Sequence, residues 1–427
     1  MTRAERRRAV LSVLMAGAQA LAALAGAVAM LLLTRTMGPA AFGQAMVLVA
    51  AATLGAVAAG ANLEGAAIRV LNAWDAPLQA GFLRYTRRII TVGTGVSVAI
   101  CTLLWLFGAA ALPEMLAVVA AIPALAMLRA TARQGAALGA PGGAVAIRIL
   151  ARPLTFLGLA VVSCAASLTP PAWILAAALA AAAAVGVLLQ LAVLRPVLRS
   201  LPPAAREVPG ARWLRMGLVL APALLLQELF RDLVMVAAGT VLPAPDLGVL
   251  AIALTLAALP GLAVAAVDIA TGPRIARLAA ANRASEVSRA LAEAARLRML
   301  GLCCALPGLA LILPPALHFA GAPMASTPVW ALVLVPVVRA VLGNPAMLLT
   351  ALGHADSVGR SSAAAAGLTA LAVAGAGAGW GATGAAIAAA GGAGAGQVLL
   401  WIACMRLGGP DCSVRVLFRP LPRMAQP

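Results

Sequence analysis

The chain has 427 residues, of which 63% are hydrophobic and only 10% charged. With a mean hydropathy of +1.02 it is no soluble domain, and repeated long apolar runs indicate an all-α, polytopic membrane protein. The strands of an outer-membrane barrel would alternate polar and apolar residues, which these runs do not. A formal net charge of +18 suggests nucleic acid, but the arginines follow membrane topology, so no nucleic-acid partner is expected.

Twelve apolar spans follow one another: 10–33, 41–61, 89–111, 113–128, 147–168, 172–194, 214–240, 247–270, 299–318, 327–350, 361–379 and 382–405. The first has no convincing small-residue processing site and reads as a true span. All 31 basic residues are arginine, and cytoplasmic loops carry the excess of positive charge. With the N-terminus inside, 28 of the 31 fall on the inner side. These include Arg129, Arg133, Arg148 and Arg152 between spans four and five. Arg35 lies at the outer end of span one, and Arg231 and Arg339 lie within spans. Both termini are therefore expected in the cytoplasm. The outer connections are short and leave no room for an extracellular domain. The inner segment 271–298 reads either as an Arg-rich amphipathic surface helix or as a plain topogenic loop.

Span seven carries a polar knot, Gln227-Glu228-Leu229-Phe230-Arg231-Asp232. A charge at the bilayer midplane costs between ~2.5 and ~17 kcal/mol, so this knot must face protein or water. On one continuous helix Gln227, Glu228, Arg231 and Asp232 share roughly one face. That face lines a polar cavity for a charged solute, or it is a self-paired lock between helices.

The two halves echo each other. The turn 34–43 ends in Gly43 and the turn 240–248 ends in Gly248. Ala137-Leu-Gly139 after span four returns as Ala351-Leu-Gly353 after span ten. The offsets imply a parallel six-plus-six repeat about an axis along the membrane normal. The expected organisation is an N-terminal lobe 1–195, a cytoplasmic Arg/Pro-rich linker 196–213, a C-terminal lobe 214–406 and a cytoplasmic tail 407–427. Prolines inside spans, such as Pro222, Pro336 and Pro345, bend their helices where neighbours or cavity water satisfy the freed carbonyl.

No nucleotide-binding Gly-x-x-x-x-Gly-Lys occurs, and neither does a hydrolase or metalloprotease motif. Six cysteines without a CxxC and two histidines offer no metal centre. No cofactor and no catalytic residue are expected, and the chain is not read as an enzyme. The in-membrane polar residues are Gln19, Glu64, Gln227, Glu228, Arg231, Asp232, Asp268 and Arg339. Glu64 and Asp268 sit near the inner ends of the second span of each half, where an interfacial position suffices to explain them. Gln19 on span one corresponds to Gln227 on span seven. Arg339 has Glu228 and Asp232 as candidate partners. Arginine grips phosphate bidentately, and a buried carboxylate can carry H+ or hold Na+.

The pattern Leu31-Leu-Leu-Thr-Arg35-Thr-Met-Gly38-Pro39-Ala-Ala-Phe42-Gly43 resembles the first hairpin of the polysaccharide-biosynthesis, or lipid-linked oligosaccharide, flippases. These belong to the multidrug/oligosaccharidyl-lipid/polysaccharide exporter superfamily. Further matching points are Asp246-Leu-Gly248-Val-Leu-Ala, Gly272-Pro273-Arg-Ile-Ala-Arg-Leu, Leu352-Gly353-His-Ala-Asp and Gly379-Trp-Gly-Ala-Thr-Gly384-Ala-Ala-Ile-Ala388. The resemblance implies two six-helix lobes, a cavity lined by spans one, two, seven and eight, and alternating access. It also implies an isoprenoid-pyrophosphate-linked saccharide as substrate, moved from the inner leaflet of a bacterial inner membrane for surface polysaccharide synthesis, with membrane lipids as surroundings. Arg231, Arg339 and Arg35 are the candidates to face the pyrophosphate, with Gln227 and Gln19 beside them. Glu228 and Asp232 are the candidates to couple transport to H+ or Na+. Other readings are a drug/cation antiporter of the same fold, a membrane-embedded enzyme acting on the same lipids, and a non-transporting partner of polysaccharide-synthesis enzymes.

Overall fold

The computed structural model describes residues 3–418 apart from 109–110, 139–140, 204, 206–207 and 282. Gly139 of the repeat signature, Arg206 of the linker, and Arg419 and Arg423 of the tail lie outside the described residues. Every regular element among the described residues is helical. In order these are α1 (Arg3–Met37), α2 (Pro39–Ala59), α3 (Leu63–Ala73), α4 (Ala76–Leu106), α5 (Leu112–Ala137), α6 (Pro141–Ala165) and α7 (Trp173–Ser200). They are followed by α8 (Gly210–Gln227), α9 (Phe230–Gly239), α10 (Ala244–Ala280), α11 (Ala284–Phe319), α12 (Ser326–Leu342), α13 (Pro345–Ala351) and α14 (Ala355–Arg406).

Nine helices among the described residues are long and apolar enough to cross a membrane. One of them, α14, reverses direction at Trp380 and Gly381, where Gly381 has φ 59° and ψ −150°. That backbone region is open to glycine alone. Gly384 then meets Ala376 and Gly392 meets Thr369, so the two arms run antiparallel and supply two crossings. The apolar part of α1, Leu21–Met37, and the broken pair α8–α9 complete twelve. Spans eleven and twelve are these two arms, and span ten is α12 followed by α13.

By its contacts the chain divides into two compact units, Gly17–Ala251 and a second built on Ile252–Pro427. In the first, α5 is central, with α2, α3, α4, α6 and α7 around it. Gln190 of α7 donates to the Ala144 carbonyl of α6 at 2.7 Å and accepts from Thr131 of α5. One buried amide thus satisfies groups on both neighbours. Gly43 and Gly248 face each other backbone to backbone. A Cβ on Gly43 would lie 2.8 Å from the Ala244 oxygen, and one on Gly248 would lie 2.6 Å from the Pro39 carbonyl carbon. The close approach explains why the two matched turns end in glycine.

The linker is held by aromatic packing. Trp213 at the start of α8 is fully buried, with the rings of Trp74, Phe82 and Tyr85 centred 5.5, 5.2 and 5.7 Å from its own. Ahead of it, the Ala205 amide donates to the Pro77 carbonyl at 3.0 Å. The beginning of span seven is thereby fastened to α3 and α4.

In the second unit α12 packs on α11 and α14, and α13 on α14. A small core joins Val264, Leu302 and Ala340. Segment 271–298 forms no separate surface helix. It is the end of α10 and the start of α11, joined by a short turn. Ile275, Ala279, Val287, Leu291 and Ala295 on these extensions are buried, so their apolar stripe is used within the protein and not on a bilayer surface.

Candidate functional site

Span seven does not cross as one helix. Pro222 lacks the amide that would continue the ladder. Six and seven residues on, the Glu228 and Leu229 amides both point to the Leu224 carbonyl, at 2.9 and 3.1 Å. The second of these bonds spans five residues, the wide turn of a π-bulge. Leu229 leaves helical backbone at φ −116°, ψ 18°, and α9 begins at Phe230. The single shared face expected for Gln227, Glu228, Arg231 and Asp232 is therefore divided, and each charged side chain meets its own neighbours.

Glu228 turns toward the ends of α5 and α6. Its Oε1 accepts from Nη2 of Arg133. Its Oε2 lies 3.7 Å from Arg148 and 3.8 Å from Arg129. Asp232, almost fully buried, lies 3.3 Å from Arg152, whose guanidinium also sits over the Phe156 ring at 5.7 Å. Arg129 has a partner of its own in Glu64 of α3, to which Nε and Nη2 donate at 2.8 and 2.5 Å. Arg231 reaches only the thioethers of Met30 and Met46, each at 3.8 Å, and its Nε has no hydrogen-bond partner. Thioether sulfur is a weak acceptor. Among the described residues no carboxylate lies within ion-pairing distance of Arg231.

The first unit thus gathers five arginines (Arg129, Arg133, Arg148, Arg152, Arg231) and three carboxylates (Glu64, Glu228, Asp232). Two positive charges are left over. They sit where Arg133 and Arg148 share one carboxylate, and at Arg231. Glu228 is 36% exposed, Arg133 30% and Arg148 23%, so the shared pair is not sealed inside its unit. Planar guanidinium groups with one carboxylate between two of them suit a bidentate anion such as phosphate.

Sequence reasoning assigned Arg129, Arg133, Arg148 and Arg152 to topogenic loop charge. They belong to α5 and α6. The i, i+4 spacing within each pair sets both of its arginines on one helix face, but that spacing does not separate an ion-paired arginine from a topogenic one. Glu64, read as interfacial, is buried, Asp268, read likewise, is half-buried, and both are paired.

Arg339 does not have Glu228 or Asp232 as its ion-pair partner. In the second unit it donates to Asp268 Oδ2 at 3.0 and 3.3 Å. Asp268 Oδ1 lies 3.2 Å from Nε of Arg298, which is 2% exposed. This is a compact triad on α10, α11 and α12. Gln19 on α1 and Gln227 at the end of α8 are half-buried, and Arg35 is exposed on the last turn of α1. No group of three or more His, Cys, Asp or Glu able to hold a metal occurs among the described residues.

At the sequence level neither a family model nor a curated protein matches the chain. Its structure is similar to that of a multidrug resistance MATE family transporter of the MOP superfamily in its inward-facing conformation, with TM-score 0.62 and 15% identity over 94% of this chain and 98% of that one. It is similar to the lipid II flippase MurJ in an inward closed conformation, with TM-score 0.67 and 11% identity over 95% and 90%. It is also similar to the MATE multidrug transporter DinF-BH in complex with R6G, with TM-score 0.58 and 14% identity over 96% and 97%. The chain is a multi-pass membrane protein, all-helical among the described residues, and it shares the fold of these MATE and MurJ structures.

Proposed function

We propose that the chain is a flippase or exporter for an isoprenoid-pyrophosphate-linked oligosaccharide used in surface polysaccharide synthesis, working by alternating access across the bacterial inner membrane. The excess of two positive charges in this cluster of arginines and carboxylates carries the reading. In a low-dielectric site uncompensated arginines repel one another, and a pyrophosphate diester supplies the missing negative charge. Arg133, Arg148 and Arg231 are assigned to the pyrophosphate, and Arg35, Gln19 and Gln227 to the path around it. Glu228 and Asp232 are assigned to coupling with an H+ or Na+ gradient. Arg339, held by Asp268, is assigned to the internal framework of its unit. The lobes 1–195 and 214–406, joined by linker 196–213 and with both termini cytoplasmic, are the proposed moving parts.

The multidrug transporters among the similar structures favour a second reading, drug export. A cationic drug would add charge to a site that already carries an excess of it, which ranks this reading below the first.

The test is transbilayer movement of a fluorescent isoprenoid-pyrophosphate sugar in proteoliposomes, with and without an imposed pH or Na+ gradient. Gradient-sensitive movement, reduced at least tenfold in Arg133→Ala and Arg148→Ala, supports the flippase. Each lost charge-assisted hydrogen bond is worth ~1.5–3 kcal/mol. Movement of cationic drugs with none of the lipid-linked sugar would replace it with the antiporter reading.

A further inference from the structure

We propose that Glu228 is a built-in stand-in for a phosphoryl anion: it occupies the Arg133–Arg148 site at rest, and the ligand's phosphate displaces it. The inference rests on the flippase reading for its biological ligand, but its physical content is the exchange itself. Three observations carry it. Glu228 is the one carboxylate of the cluster that two arginines share without a second acid, contacting Arg133 and lying 3.7 Å from Arg148. Glu64 and Asp232, by contrast, are almost fully buried on Arg129 and Arg152. Glu228 is also the exposed member of the three, at 36%, so an anion from outside the unit can reach both guanidinium groups. Finally, it sits on the interruption between α8 and α9, where Leu229 is out of helical backbone. A short non-helical joint can move its side chain without unfolding either helix.

Displacement is an exchange of ion pairs. The arginines give up one carboxylate and gain phosphate oxygens, while Glu228 passes into water through the joint. The released joint is then free to change the angle between α8 and α9, which makes Glu228 a positioning residue whose release reports that the anion site is filled. Asp232 stays paired with Arg152 during this exchange and keeps the start of α9 in place.

The experiment measures binding of inorganic pyrophosphate and of a short-chain prenyl pyrophosphate to the full-length protein in detergent by titration calorimetry, for wild type, Glu228→Gln and Arg148→Ala. Glu228→Gln removes the competing charge and keeps the shape. It is expected to bind both anions at least about tenfold tighter than wild type, the equivalent of ~1.4 kcal/mol, and Arg148→Ala is expected to bind them more weakly. Equal gain for both probes assigns the site to the phosphoryl group. Gain confined to the prenyl probe assigns it to the lipid-borne headgroup. Unchanged or weaker binding of both in Glu228→Gln overturns the proposal. In case that variant does not fold, hydrogen exchange of residues 224–232 in wild type gives a second reading: faster exchange on adding pyrophosphate supports release of the joint, and unchanged or slower exchange overturns it. Failure of lipid-linked sugar transport with tighter pyrophosphate binding by Glu228→Gln would sink the flippase and leave the exchange standing. Transport with no change in anion affinity would do the reverse.

Discussion

Arg129 gives both its Nε and its Nη2 to a single oxygen of Glu64, at 2.8 and 2.5 Å, while the other oxygen of Glu64 has no hydrogen-bond partner. Both side chains are buried. Removing one partner from such a pair leaves a charge without water or counter-ion and costs about 3–5 kcal/mol. Arg129→Ala is therefore expected to lower thermal stability in detergent sharply. The double substitution Arg129→Met with Glu64→Leu should recover most of it, because an apolar pair carries no desolvation cost. A single Arg129→Ala as stable as wild type would mean that the pair is solvated.

The second unit contains an ion pair of the same type, Arg339 with Asp268, but adds Arg298 on the other side of the acid. The asymmetry gives an ordering. Asp268→Asn leaves two arginines facing one another, whereas Arg339→Ala leaves Asp268 still paired with Arg298. Asp268→Asn should be the more destabilising by ~1–2 kcal/mol, about the desolvation cost of an unsatisfied buried group, read from unfolding midpoints. The reverse order would place Arg339, not Arg298, as the main partner of Asp268.

Much of the helix order is legible in sequence because a bilayer tolerates only closed backbone hydrogen bonding, and twenty apolar residues announce a crossing. The hairpin at Gly381 and the turns at Gly43 and Gly248 were readable for the same reason, since each needs a missing side chain. The site was half legible. Glu228, Arg231 and Asp232 stand out as charges inside an apolar run. Arg129, Arg133, Arg148 and Arg152 do not, because at the end of a helix a topogenic arginine and an ion-paired one look alike. Hydropathy also says nothing about a π-bulge. The break after Gln227, which separates Glu228 from Asp232, comes from one wide hydrogen bond to Leu224. The pairing of Arg339 with Asp268 is a matter of which helices are neighbours, and spacing along the chain does not encode that.

Orientation can be tested with two single cysteines in a cysteine-free background. Ser167 lies just after α6, in the short connection to α7, and Arg289 is an exposed residue near the start of α11. With the N-terminus inside, a membrane-impermeant maleimide added to intact cells should label Ser167→Cys and spare Arg289→Cys. Permeabilised cells should label both. Labelling of Arg289→Cys alone in intact cells would invert the topology and put the arginine-rich turn outside, against the rule that positive charge stays in the cytoplasm.

The joint between α2 and α3 holds two residues other than glycine in left-handed backbone, Ala61 at φ 45° and Asn62 at φ 50°. Asn62 has a reason to be there. Asparagine tolerates that region, and its Nδ2 donates to the Gly217 carbonyl at 3.2 Å, tying the joint to α8. Ala61 has no side-chain hydrogen bond to offset its strain, which is ~1–2 kcal/mol for an L-residue. Replacing it with glycine removes the strain and adds ~0.4–1 kcal/mol of unfolded-state entropy. The difference favours Ala61→Gly by about 0.5–1 kcal/mol, visible as a higher unfolding midpoint in mixed micelles. Asn62→Ala should move the midpoint the other way, because it loses both the tolerated backbone and the bond to Gly217. The two variants then separate strain from tethering at one joint. A stabilised Ala61→Gly protein with slower transport would show that the strained turn serves movement, and one with unchanged transport would show that Asn62 alone sets the geometry between α2 and α3.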